Sequence, residues 1–490
     1  MGCSNSSELA SNEPKSNNNE SKNNLVTNND LSLKNENNEK KIINDKSCIK
    51  ENIAKKREDN IDKERGKINE NNEVNNANNK SNETNNIKIE YRNTINLKYY
   101  VKSKGLTNIF GEKFVKKNKD NIDLIINGKP STLISQSELE AGENVITLII
   151  KNYLNNLSDM FFKCDSLKDF SELKYLDVSK AIYLDDMFSK CSTLKDLKPL
   201  ENWDVSNVRS FQGMFAACSS LRFLTPLKKW NVSKGEVFGN MFLNCKQLDI
   251  LEGLENWDVS NAEIFACMFS DCSSLLNIKA LKNWDVSNCS DFSSMFGYCE
   301  RLYDLKPLQN WNVSKGKNFS FMFNKCSILI DLRPLANWNV SNSVSFEYMF
   351  NNCSQLFSPN PLENWNVSNC RSFSCMFSGC SRFFILRKLE NWDVSNGENF
   401  GGMFEDCSSL TKLDPFENWK VSKGFNFQRM FNGCSKLEEI KPLLKWNVSN
   451  GKYFESMFGN CPSIIDISLL KNWNIPKDKL DSITKEYSGF

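Results

Sequence analysis

Cysteine is the residue with most chemistry to offer in this chain: eighteen thiols in 490 residues, and no histidine to activate them. Without imidazole the commonest general base, the commonest metal ligand and every Ser-His or Cys-His nucleophile pair are gone. Zinc favours paired Cys-x-x-Cys spacing, which the repeated cysteines lack. Twelve of them, from Cys164, Cys191, Cys218 and Cys245 through Cys461, instead recur every 27 residues. A row of small buried apolar side chains fits that spacing better than a nucleophile or a metal site does. Cys267 with Cys375, and Cys289 with Cys370, share two further registers away from that row and are the better candidates for reactive thiols. Phosphate-binding glycine loops and acid pairs outside the repeat are also missing, so no enzyme and no cofactor is expected.

The second chemical signal is the opening Met-Gly-Cys-Ser-Asn-Ser. Gly2 with Ser6 fits N-myristoylation, and Cys3 stands where a palmitoyl chain could be added. One myristoyl chain binds membranes only marginally, so the second chain is what would make attachment stable. The start carries no apolar stretch of the secretory type, which places the expected anchor on the cytosolic face. Residues 1–86 are rich in Asn, Lys, Glu and Ser and poor in aromatics; such a segment does not bury enough surface to order itself and reads as a disordered tether. Formal net charge is +2, from 62 basic and 60 acidic residues, which argues against bulk electrostatic binding of nucleic acid.

What must position these groups is an array. All eleven tryptophans fall on the 27-residue step, among them Trp203, Trp230, Trp257, Trp284, Trp311 and Trp338. So do the Met-Phe pairs such as Met214-Phe215. Three registers of this length mean stacked coils in which Trp, Cys, Met and Phe form the core. Within one coil, Leu194, Leu197 and Leu200 lead into Trp203 and Val205, which reads as a short strand. Ser206 and Asn207 then look like a helix start, and Phe211, Met214, Phe215 and Cys218 at i, i+3, i+4 and i+7 give one apolar helix face. The fold class expected is therefore an α/β solenoid, a leucine-rich-repeat-like right-handed array of about twelve strand–helix coils over 154–475. Residues 87–153, with β-rich runs and an Asn127-Gly128 hairpin signal, read as a small β cap in front of it. Residues 476–490, beginning with Pro476 and polar where the core residues would stand, read as a closing helix.

The unit Asn202-Trp203-Asp204-Val205-Ser206-Asn207, then Met214-Phe215, then Cys218-Ser219-Ser220-Leu221, resembles the BspA-like leucine-rich repeat found in bacterial and protist surface proteins. The resemblance covers about residues 87–490 and implies a leucine-rich-repeat solenoid with adhesion or protein binding as its role. This chain's units are slightly longer, and Phe211, Phe238 and Phe265 stand where the family commonly has Met.

Three outward columns remain. Asp177, Asp204, Asn231, Asp258, Asp285 and Asn312 follow the Trp register and suggest a ladder bonded to the backbone of the next coil rather than a calcium row. Asn231, Asn312, Asn339, Asn366 and Asn447 also match the glycosylation sequon, which matters only in an exported protein. Lys198, Lys279, Lys306, Arg333, Arg387 and Lys441 share one register and would line a weakly basic stripe on the strand face, an ordinary solvated surface or a seat for an acidic partner peptide or phospholipid head groups. The expected function is a non-enzymatic, monomeric protein-binding scaffold, tethered to a membrane through Gly2 and Cys3; the alternative is a cell-surface adhesin.

Overall fold

A computed structural model describes residues 92–384 and 386–485. The acylation positions Gly2 and Cys3 and the tether read over 1–86 lie outside the described residues.

The chain first builds a five-stranded sheet. In β1 (Thr94–Val101), Ile95, Leu97, Tyr99 and Val101 alternate inward, which is the period of a strand buried on one face. After β2 (Gly105–Asn108) comes a seven-residue helix, α1 (Glu112–Asn118), with Phe114 buried. The sequence reading missed α1 because two turns are too short to show a helical period. β3 (Ile122–Ile126) and β4 (Lys129–Thr132) form a hairpin through Asn127 and Gly128, whose φ values of 49° and 80° make the type I′ turn that an Asn-Gly pair favours. β5 (Gln136–Leu139) pairs with β2 alone, while β6 (Gly142–Ile150) lies between β3 and β1. The sheet order is β4-β3-β6-β1-β7, and β7 (Leu167–Asp169) already belongs to the first repeat. The front sheet thus runs directly into the array. Gly111 sits at this junction: a Cβ there would lie 2.1 Å from the Asp159 carbonyl oxygen, so only glycine lets its N–H reach the Met160 oxygen at 3.2 Å.

The repeats form a solenoid-like array, but not of strands and helices. Strand-like pairing between successive coils is limited to one parallel bridge, in the series Asn156, Tyr183, Ser210, Val237 and onward to Tyr453. Where leucines suggested a strand, most coils instead make a 3-10 turn, such as Lys198–Leu200 or Arg333–Leu335. Pro at the second position presets φ for that turn in coils such as these two.

The expected helix at Phe211–Cys218 is absent. Met214 and Cys218 donate to Phe211 and Phe215 three residues back (3.1 and 3.2 Å), closing two consecutive turns whose third residues, Gly213 and Ala217, have φ of 63° and 58°. That is type II turn geometry. Phe211, Gly213, Phe215 and Ala217 meanwhile donate to Val237, Gly239, Met241 and Leu243 of the next coil at 2.6–2.9 Å. A helix would send those donors four residues back; here the stack takes them. Two successive four-residue turns also return to one side at i, i+3, i+4 and i+7, so the apolar spacing is the same for both structures. The pattern did carry a distinguishing signal: the second left-handed column is filled by Asn244, Asp271, Asn352, Gly379, Asp406 and Gly433 among others, types that tolerate positive φ.

The array closes with α2 (Lys477–Ser482), preceded by Pro476 and followed by buried Ile483.

Candidate functional site

The cysteine row, including Cys218 and Cys245, is interior: from Cys191 to Cys461 each Sγ donates to the carbonyl of the Phe thirty residues earlier, at 3.0–3.3 Å. Burial pushes these thiols up, Cys191 to about 12, so the neutral thiol rather than the thiolate is held. The tryptophans follow the same rule. Every indole from Trp203 to Trp473 is buried, and its Nε1 donates to a carbonyl thirty residues earlier at 2.7–3.1 Å. Leu200 O, for example, accepts from Trp203 N and from Trp230 Nε1, so both of its lone pairs are used. Met214 and Phe215 are fully buried, and Phe215 stacks on Phe188 and Phe242 at 5.7 Å.

The thiols read as reactive are not set apart. Cys267, Cys289 and Cys370 are buried, and burial carries Cys370 up to about 12. Cys375 is half-buried and lies near Tyr348, with its thiol pushed up to about 11. The misreading came from assuming a helix, in which these registers would have turned outward.

The polar column beside Trp does not bond to the next coil. Asp204 Oδ1 accepts from Ser206 N at 3.0 Å, two residues on, and the Asp and Asn equivalents from Asp177 to Asn447 do the same at 2.9–3.2 Å, Lys420 alone interrupting the series. These are Asx turns, which begin the corner after Trp. The inter-coil ladder belongs to a different column, the one read as a helix start: Asn207, Asn261, Asn288, Asn342, Asn369, Asn396 and Asn450 each donate Nδ2 to a Ser carbonyl of the preceding coil at 2.7–2.8 Å. Where Lys replaces Asn, as at Lys234, Lys315 and Lys423, its Nζ reaches the Asn Oδ1 below at 2.5–2.7 Å.

Lys198, Lys279, Lys306, Arg333, Arg387 and Lys441 are all exposed, at the start of the 3-10 turns rather than on a strand. They do not make a basic field. Arg333 pairs with Asp331 at 2.9 Å, Lys441 with Glu439 at 3.7 Å and Lys198 with Glu201, while Glu252 and Asp414 interrupt the register. Carboxylates two residues earlier, such as Asp196 and Asp304, accept the turn's own N–H at 2.8 Å. Alternating sign at this spacing cancels the attraction for an extended anion.

Three residues before that register lies a column the sequence reading passed over. It reads Lys168, Lys195, Arg222, Asp249, Leu276, Tyr303, Ile330, Phe357, Phe384, Thr411, Glu438 and Ile465. Its middle is apolar and open: Tyr303 is 49 %, Ile330 58 %, Phe357 62 % and Phe384 50 % exposed. The signal was present as aromatic and aliphatic residues at a 27-residue step next to buried leucines; strand alternation points them outward.

The family scan matches residues 155–277, 238–359, 264–386 and 384–484 to the family described as Mycoplasma protein of unknown function, DUF285. The chain is a DUF285 repeat protein. No curated protein and no solved structure matches it.

Chemically, the DUF285 array offers little for a reaction. A cleft of about 330 Å³ at the first coils is lined by Cys164, Cys191, Lys168, Lys195, Asp169 and Asp196, but burial keeps both thiols protonated. Farther along, Glu405 is buried against Arg429 and Asn432, and desolvation raises its pKa despite the arginine. Its Oε1 is thereby engaged in bonds that join coils of the DUF285 stack. Among the described residues no group of three or more His, Cys, Asp or Glu is placed to hold a metal, and no helix is long and apolar enough to cross a membrane.

Proposed function

We propose that this chain is a non-enzymatic protein-binding scaffold held at the cytosolic face of a membrane by acyl chains on Gly2 and Cys3. We further propose that its coils are a variant of the BspA-like leucine-rich repeat in a right-handed array. One observation carries the scaffold reading: the thiol and indole columns are consumed by inter-coil hydrogen bonds, while the outward columns change from rung to rung. Recognition by an array resides in such variable outward positions on a uniform frame. The anchoring half rests on the Met-Gly-Cys-Ser-Asn-Ser motif. Mass spectrometry of the mature amino terminus tests it: Gly2 carrying myristate and Cys3 carrying palmitate is the expected result, with Gly2→Ala releasing the protein from membranes. An unmodified amino terminus on membrane-associated protein refutes it.

A cell-surface adhesin is the second reading, favoured by the sequon asparagines Asn231, Asn312, Asn339, Asn366 and Asn447, all of which are exposed. Protease treatment of intact cells separates the two, because only a surface protein is cut.

A further inference from the structure

The open apolar column runs without interruption through four rungs, Tyr303, Ile330, Phe357 and Phe384, and half-buried Leu276 extends it by a fifth. Monomeric proteins rarely leave contiguous large apolar side chains exposed, and patches rimmed by polar residues mark interaction sites. Both rims are charged. On one side stands exposed Arg222, with its ion-pair partner Asp249 between it and Leu276; on the other stand Glu438 and Glu439, both exposed. Both rims lie four rungs from Ile330: Arg222 is 108 residues before it and Glu438 is 108 after it.

We propose that this column is an isologous interface for a second copy of the same chain, docked antiparallel about a two-fold axis at Ile330. In a two-fold contact, residue i meets residue j and j meets i. Reversing the column about Ile330 sets Tyr303 on Phe357, Leu276 on Phe384, Asp249 on Thr411, Arg222 on Glu438 and, at the outermost rung, Lys195 on Ile465. Eight rungs at ~4.8 Å separate the two charged contacts, so the seam spans roughly 40 Å. Arg222 also holds Asp249 of its own copy at 2.8 Å, and Glu438 of the second copy would complete a three-charge cluster at each end. At the axis each Asp331 brings its own Arg333, so like charges do not meet bare. The parallel arrangement fails on the same residues, since it would set Arg222 on Arg222 and Glu438 on Glu438. Charge complementarity therefore selects a second copy, and selects its direction. This departs from the monomer expected from the sequence.

Sedimentation velocity of the full chain over a wide concentration range tests the proposal. The expected result is a concentration-dependent dimer, weakened about tenfold or more by Phe357→Asp at the centre of the apolar block. Arg222→Glu alone and Glu438→Arg alone should each impair dimerisation. An equimolar mixture of the two variants should restore it, because both end contacts then pair opposite charges, and the double variant should dimerise by itself. Circular dichroism of each variant keeps loss of fold separate from loss of contact. A chain that stays single at every concentration, or a dimer indifferent to Phe357→Asp, overturns the proposal. So does a dimer in which the mixture does not rescue the two charge variants. A single chain that binds phosphatidylcholine vesicles through Phe357 would overturn it too, and would assign the column to a lipid surface.

Discussion

Trp311→Ala probes the frame most directly. The indole is 4 % exposed, lies 6.2 Å from the Phe292 ring and donates Nε1 to Leu281 O at 3.0 Å. Truncating a buried tryptophan costs about 3–5 kcal/mol in transfer and cavity terms. The lost hydrogen bond adds about 1 kcal/mol at most, because Leu281 O keeps its second donor, Trp284 N, at 3.1 Å. The expected total is about 4–5 kcal/mol, against about 2 kcal/mol for Trp311→Phe, which keeps a ring but loses the bond. In an array with nearest-neighbour contacts the damage should be local, splitting the unfolding transition at the affected coil. Urea denaturation followed by circular dichroism measures the loss, and amide exchange locates it. An unfolding midpoint unchanged to within about 0.5 kcal/mol would show that the indole column does not hold coil to coil.

Two further outcomes follow from the same columns. Burial raises the thiols far above 9.0, Cys191 and Cys370 to about 12, so the folded chain keeps protons that the unfolded chain releases. Their stabilising contribution is complete below about pH 9 and falls by ~1.4 kcal/mol per pH unit for each thiol as pH rises toward the folded value. The urea midpoint should therefore hold near neutrality and drop steeply above about pH 9, with a shallower slope in Cys191→Ala; an alkaline midpoint equal to the neutral one contradicts the buried row. Gly253, with φ of 110°, stands where the two preceding coils have Pro199 and Pro226, and a Cβ there would meet Leu224 O at 2.2 Å. Gly253→Ala should lower stability by about 2–3 kcal/mol, and Gly105→Ala, with open space around its position, by less than about 0.5 kcal/mol, both read by urea denaturation.

The sequence determined the period, the interior and the turn at Asn127-Gly128, because burial selects residue type and a stack repeats that selection every 27 residues. Trp203, Cys218 and Met214-Phe215 were legible as core on those grounds alone. It did not determine the path of the backbone between them. Phe211, Met214, Phe215 and Cys218 present one apolar side whether the chain is a helix or a pair of type II turns, and only the neighbouring coil decides. By accepting the N–H groups of Phe211, Gly213, Phe215 and Ala217 it makes the turns the satisfied state. The same decision turned the asparagine column at Asn207 into the inter-coil ladder and left the Asp204 column to cap its own corner. It also exposed Tyr303, Ile330, Phe357 and Phe384, whose residue types alone would suit a core. Residue type records what can be buried; hydrogen bonds between coils, formed only once the chain is stacked, settle which of those residues are.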